Sequence, residues 1–136
     1  MTNERDELRQ VFFEAWRKYQ NQLLLEPLEN QLVELILQHP EYQPLFERPE
    51  EFQDQDFAEE NPFLHLSLHL SIRDQINADR PEGVKQIYQL YCQKLQDTNT
   101  AEHLMMECLG QVLWEAQQSG KMPEEQSYIE LLKSKI

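Results

Sequence analysis

Two blocks decide how this chain is read: NPFLHLSLHLSIRDQ at residues 61–75 and TAEHLMMECLGQVLWEAQQSG at residues 100–120. The first is ambiguous in its periodicity. Leu64, Leu66, Leu68, Leu70 and Ile72 alternate with His and Ser, as in a half-buried strand. Three features favour helix instead. Asn61-Pro62 is a cap followed by proline in the first turn. The apolar residues are leucines rather than valines. The pattern also runs on through Arg73 to Asn77 without a breaker. Read as a helix, the segment is apolar on nearly every side, which predicts a central position. Each block also carries a polar pair one helical turn apart: His65 with His69, and His103 with Glu107.

Working outward from these blocks, the rest of the chain also reads as helix. Thr2 or Asn3 is expected to cap a first helix, with Glu4 and Asp6 suited to its positive end. Leu8, Val11, Phe12, Ala15, Trp16 and Tyr19 recur at helical steps, to about Leu24. Pro27 fits the first turn of a second helix, LENQLVELILQ, which Pro40 stops. The short link between the two predicts a hairpin. Residues 41–60 read as one long acidic loop: Pro44 and Pro49 interrupt it, and Tyr42, Phe46, Phe52 and Phe57 pin it to the core. Asp54 and Asp56 do not make a calcium loop, because no glycine stands at the turn position. Asp79 to Gly83 is a turn. A helix is expected from Val84 to near Gln96, the next is capped by Thr98 or Thr100, Gly120 ends that one, and Pro123 opens a last. The expected architecture is all-α: a single domain, 1–136, folded as a compact bundle of five or six helices.

Composition bounds the function. The 136 residues, 40% of them hydrophobic, are enough for a folded core, and only three are glycine. A net charge of −13 disfavours nucleic acid, whose binding rests on Lys and Arg neutralising phosphates. It disfavours anionic membranes equally. No apolar run approaches the ~20 residues of a membrane span, and MTNERDELRQ has no apolar core of a secretory signal. Cys92 and Cys108 are expected as free thiols in a cytoplasmic protein. The acidic surface leaves a basic protein partner as an expectation, with the aromatic, acidic 41–60 segment as its docking element.

On the 101–118 helix the core face centres near Val112. The opposite face is His103, Glu107, Gly110 and Trp114, where a surface helix would carry Lys, Gln or Glu. This predicts a helix covered on both sides, with both tryptophans, Trp16 and Trp114, in the core. His65 and His69 can reach a single ion from one helix face, and a facing helix giving His103 and Glu107 would complete the set. Three nitrogens and one carboxylate suit zinc, iron or manganese. The pattern lacks the Glu of a zinc-protease helix and the Glu-x-x-His repeats of di-iron bundles. The competing reading is a structural set of histidines, hydrogen-bonded to carboxylates and carbonyls such as those around Arg73 and Asp74. A metal-dependent hydrolase or oxygenase would also need an open coordination position and a pocket. His39, before a proline at a helix end, reads as a cap. Met105 and Met106 read as core filling, and Cys108 lies on the core face.

EPLENQLVELILQHPEY, NPFLHLSLHLSIRDQINADRPEG and AEHLMMECLGQVLWEAQQSG together resemble a family of small bacterial proteins, chiefly proteobacterial, known only as a domain of unknown function. The resemblance covers nearly the whole chain, to about Tyr128. It implies a bacterial, single-domain protein and brings no activity. In the family pattern a histidine often follows HPEY, where this chain has Gln43, and an acid often stands at the place of Gln111. His65, His69, His103 and Glu107 match the residue types of the pattern.

Overall fold

The computed structural model describes residues 4–52, 55, 57 and 61–136. The cap expected at Thr2 or Asn3 and the carboxylates Asp54 and Asp56 lie outside the described residues. Those residues form eight α-helices and no strand. They are α1 (Glu4–Gln20), α2 (Pro27–Leu37), α3 (Gln43–Glu47), α4 (Pro49–Phe52), α5 (Pro62–Ala78), α6 (Val84–Leu95), α7 (Thr98–Ser119) and α8 (Glu125–Ser134), with a 3-10 turn at Pro40–Tyr42 between α2 and α3. The all-α expectation holds, and the expected number of five or six helices is corrected. The difference lies in the 41–60 segment. Pro40, Pro44 and Pro49 read as breakers, yet each stands in the first turn of a short helix or 3-10 turn, where a missing N–H costs nothing. Through Phe52 the predicted loop is therefore a run of helical turns.

The chain divides into two compact units, 1–70 and 71–136, and the division falls inside α5. In the first unit α1 and α2 pack together. Gln22 in the left-handed region, φ 57°, turns the chain after Gln20. Glu26 and Glu29 then cap the start of α2 reciprocally, with the Glu26 N–H donating to Glu29 Oε1 at 2.8 Å. Lys18, near the end of α1, pairs with Glu29 at 2.9 Å and closes the hairpin. Phe12, Trp16, Leu32, Leu35, Ile36, Phe46, Phe63 and Leu66 form the core. Leu45 and Phe46 of α3 are buried there, and Tyr42 and Phe52 pack against it, so these aromatics serve the core.

A charge is buried beside this core. Arg9 is 2% exposed, with its guanidinium 4.7 Å from the Phe63 ring centre and 5.6 Å from that of Phe57. Its Nη1 donates to the Gln55 carbonyl at 2.7 Å and the Phe52 carbonyl at 3.4 Å. A charged donor to a carbonyl is worth roughly 1.5–3 kcal/mol. Arg9→Met keeps most of the volume and loses the donors, so it is expected to destabilise by ~2–3 kcal/mol. The midpoint of urea unfolding checks this; an unchanged midpoint would make Arg9 a passive filler.

In the second unit α6, α7 and α8 pack on one another. Val84, Ile87, Tyr91, Met105, Met106, Cys108, Val112, Tyr128, Ile129 and Leu132 are buried. The Tyr91 hydroxyl donates to the Leu132 carbonyl, and the Tyr128 hydroxyl donates to Gln75 Oε1 at 2.7 Å. Asp79 Oδ1 accepts from the N–H groups of Gly83 and Lys85, both at 3.1 Å, and forms the expected turn. Asp97, rather than Thr98 or Thr100, caps α7: its carboxylate accepts from the Thr100 N–H at 3.2 Å. The Thr100 hydroxyl also donates to it, which holds the Asp97 carboxyl below its ordinary pKa. Gly120, at φ 68°, ends α7 as expected.

Two burial expectations are corrected. On α5 one face is buried, through Phe63, Leu66, His69 and Ile72, while Leu64 is 56% exposed. On α7 Met105, Cys108 and Val112 of the core face are buried, but Leu113 at its edge is exposed, as are Glu107 and, by 61%, Trp114 on the opposite face. Trp16 is a core residue and Trp114 is not. No helix among the described residues is long and apolar enough to cross a membrane.

Candidate metal centre

The site begins at the end of α2. Pro40 disfavours the helical conformation for the residue before it. His39 accordingly leaves the helix, at φ −126° and ψ 71°. Its backbone N–H turns to the Ile36 carbonyl at 3.0 Å. The Leu35 carbonyl, which a continuing helix would have bonded through that N–H, is taken by the side chain: His39 Nδ1 donates to it at 2.8 Å. The expected cap is therefore present. It also fixes the chemistry of the ring. A carbonyl can only accept, so Nδ1 carries a proton and, in the neutral ring, the lone pair is on Nε2.

α5 brings the other two rings. The Asn61 side chain caps it as read, accepting from the N–H groups of Phe63 at 3.0 Å and Leu64 at 3.3 Å. With the start fixed, His65 and His69 stand one turn apart on a single face. Their ring centres are 4.9 Å apart. The His39 ring lies 5.1 Å from that of His65 and 4.9 Å from that of His69. The three rings meet edge to face, at 76°, 63° and 75°. Each offers a ligating nitrogen, and these nitrogens lie within 4.8 Å of one another. His69 is fully buried and His39 nearly so, while His65 is half-buried.

Protonating all three would crowd three like charges into that space, where repulsion is poorly screened. Neutral rings instead bring lone pairs into one small volume, and a cation is the group that gains most from that. Zinc–nitrogen bonds of 2.0–2.1 Å put tetrahedral ligand nitrogens about 3.3 Å apart, so at most ~1.5 Å of closure is needed, within the reach of side-chain rotation. All three donors are neutral nitrogens, which suits zinc, iron or copper better than an oxygen-seeking ion.

The pair His65 and His69, read from sequence, is thus together. The third ring, His39, carries no sequence signal of a ligand: its place as a helix cap accounts for it, and it has no i, i+4 partner. His103 and Glu107 stand one turn apart on α7 in the second unit, His103 half-buried and Glu107 exposed. Arg73 does enter a polar pair, its Nε donating to Glu102 Oε1 at 3.0 Å with Glu102 buried.

Burial works against ionisation of the Cys108 thiol and of the Tyr88, Tyr91 and Tyr128 phenols in the second unit. Cys92 and Cys108 are free, and burial pushes the Cys108 thiol above its usual pKa. The Tyr88 hydroxyl is pushed up to about 12 by burial and by its contact with Cys92.

A family model described as a domain of unknown function, DUF1841, matches residues 4–134. No curated protein and no solved structure matches the chain.

Proposed function

We propose that this chain, which belongs to the DUF1841 family, is a metal-binding protein that holds one transition-metal ion at His39, His65 and His69. The observation that carries the reading is the convergence of three imidazole nitrogens within 4.8 Å. His39 comes with its tautomer already set for an Nε2 ligand. His103, the one other histidine of the chain and half-buried on α7, is the proposed fourth donor. Glu107, one turn on, is the alternative, and its exposure makes it the weaker of the two. The choice bears on the metal. Four nitrogens suit zinc or ferrous iron, while manganese would need the Glu107 oxygen. Burial of His39 and His69 favours tight retention over exchange with solvent. Each ligating nitrogen must be deprotonated, so binding weakens on acidification.

Elemental analysis of protein purified without a metal-affinity tag tests the reading. One ion per chain is expected, reduced in His103→Ala and retained in Glu107→Ala. If Glu107→Ala loses the ion instead, the fourth donor is the carboxylate. Metal well below one per chain, and no lower in His65→Ala, would remove the proposal.

A further inference from the structure

The geometry points to Tyr42 as the positioning residue of this centre, acting by holding the His39 ring in its ligating orientation. The inference rests on the metal reading above and adds a group that no ligand count contains. After α2 the chain makes the 3-10 turn Pro40–Tyr42, closed by the Tyr42 N–H donating to the His39 carbonyl at 2.9 Å. That turn returns the tyrosine side chain over the histidine three residues before it. The two rings are parallel to within 3°, with centres 5.5 Å apart, an offset stack. The same tyrosine ring meets His65 edge to face at 6.0 Å and 76°. It therefore touches two of the three imidazoles.

Tyr42 is held in turn, because it packs against the core of the first unit. The His39 ring has two rotatable bonds. The hydrogen bond from Nδ1 to the Leu35 carbonyl restrains one edge of the ring but leaves it able to swing about that contact. The parallel face of Tyr42 removes the swing. Together the carbonyl and the phenol plane define where Nε2 points. A ring oriented in advance loses less entropy on binding, which is how groups outside the ligand set raise metal affinity. The stack needs the aromatic plane and not the hydroxyl, so the phenylalanine variant separates the two.

Cobalt(II) is the probe, since its visible absorption reports the ligand geometry directly. It is titrated into metal-free native protein and into Tyr42→Phe and Tyr42→Leu, and the melting of the metal-free forms is recorded alongside. Native protein and Tyr42→Phe are expected to bind with the same affinity and the same spectrum. Tyr42→Leu is expected to bind about 10–100-fold more weakly, the range for loss of a group that orients a ligand. Its absorption band should change shape or intensity even at saturation, which a loss of fold stability alone would not produce. Native affinity and spectrum in Tyr42→Leu would overturn the inference. So would an equal loss in Tyr42→Phe, which would transfer the effect to the hydroxyl. If Tyr42→Leu does not fold, Tyr42→Trp, which keeps an aromatic face, must retain binding. Absence of cobalt binding by the native protein would remove the metal reading itself, a result distinct from any difference among the variants.

Discussion

His69→Ala is expected to abolish the proposed metal binding without depending on any remote change. His69 is fully buried, and its ring centre is 4.9 Å from each of the other two. No other side chain can swing into its place from the same helix turn, since Leu66 and Ile72 are apolar and committed to the buried face. Loss of an orienting partner costs roughly 10–100-fold in affinity, and loss of a donor atom is expected to cost more. The measurement must separate this from ordinary destabilisation, because truncating a buried ring leaves a cavity in any protein. The useful quantity is the metal-dependent increment in stability. At a free metal concentration 100 times the dissociation constant, a site present only in the folded state adds about 2.7 kcal/mol. The native protein should show such an upward shift of its melting temperature on adding zinc, and His69→Ala should show none, whatever its starting value. His69→Gln, closer in volume, should behave as the alanine variant does. A variant that keeps the full increment would leave the three rings as hydrogen-bonded core residues.

The helical class, most boundaries and two of the three rings were legible in the sequence, and each miss has its own physical cause. Asn61 and Pro62 start α5, and Gly120 ends α7, because caps and left-handed residues act locally and can be read locally. Pro44 and Pro49 misled because the residue that ends a helix also begins one, and the sequence does not say which side will fold. Trp114 misled for a different reason. A helical projection identifies the face opposite the core, but coverage of that face depends on other elements. An indole on such a face reads as buried, and here it is 61% exposed. His39 is the instructive case. Its role as a cap is local and was found. Its approach to His65 and His69 spans about thirty residues of chain, including turns that were read as loop, and no spacing rule reaches that far.

Phe63→Ala is expected to be the most destabilising single truncation in the first unit, at about 3–5 kcal/mol, the range for removing a fully buried phenylalanine. Phe63 is 2% exposed and stands in the first turn of α5. Its ring lies 5.8 Å from Phe12, 5.6 Å from Phe13 and 5.6 Å from Phe46, each contact edge to face. It therefore joins α1, α3 and α5 through one side chain. The Arg9 guanidinium rests on the same ring at 4.7 Å. Truncation removes the face that stabilises a buried charge as well as the apolar volume, which places the cost toward the upper end of the range. Leu64→Ala, one residue on and 56% exposed, shares the helix and its cap but not the burial, and should cost less than ~1 kcal/mol. Urea unfolding of the two variants in parallel makes the comparison. The pair also bears on the proposed metal centre, because Phe63 precedes His65 by two residues and anchors the turn from which it projects. A Phe63→Leu variant, which retains part of the volume, should lose stability while still gaining from zinc. If Phe63→Ala and Leu64→Ala were equally mild, the aromatic cluster would not be what fixes α5 in the first unit, and the placement of His65 and His69 beside His39 would need another cause.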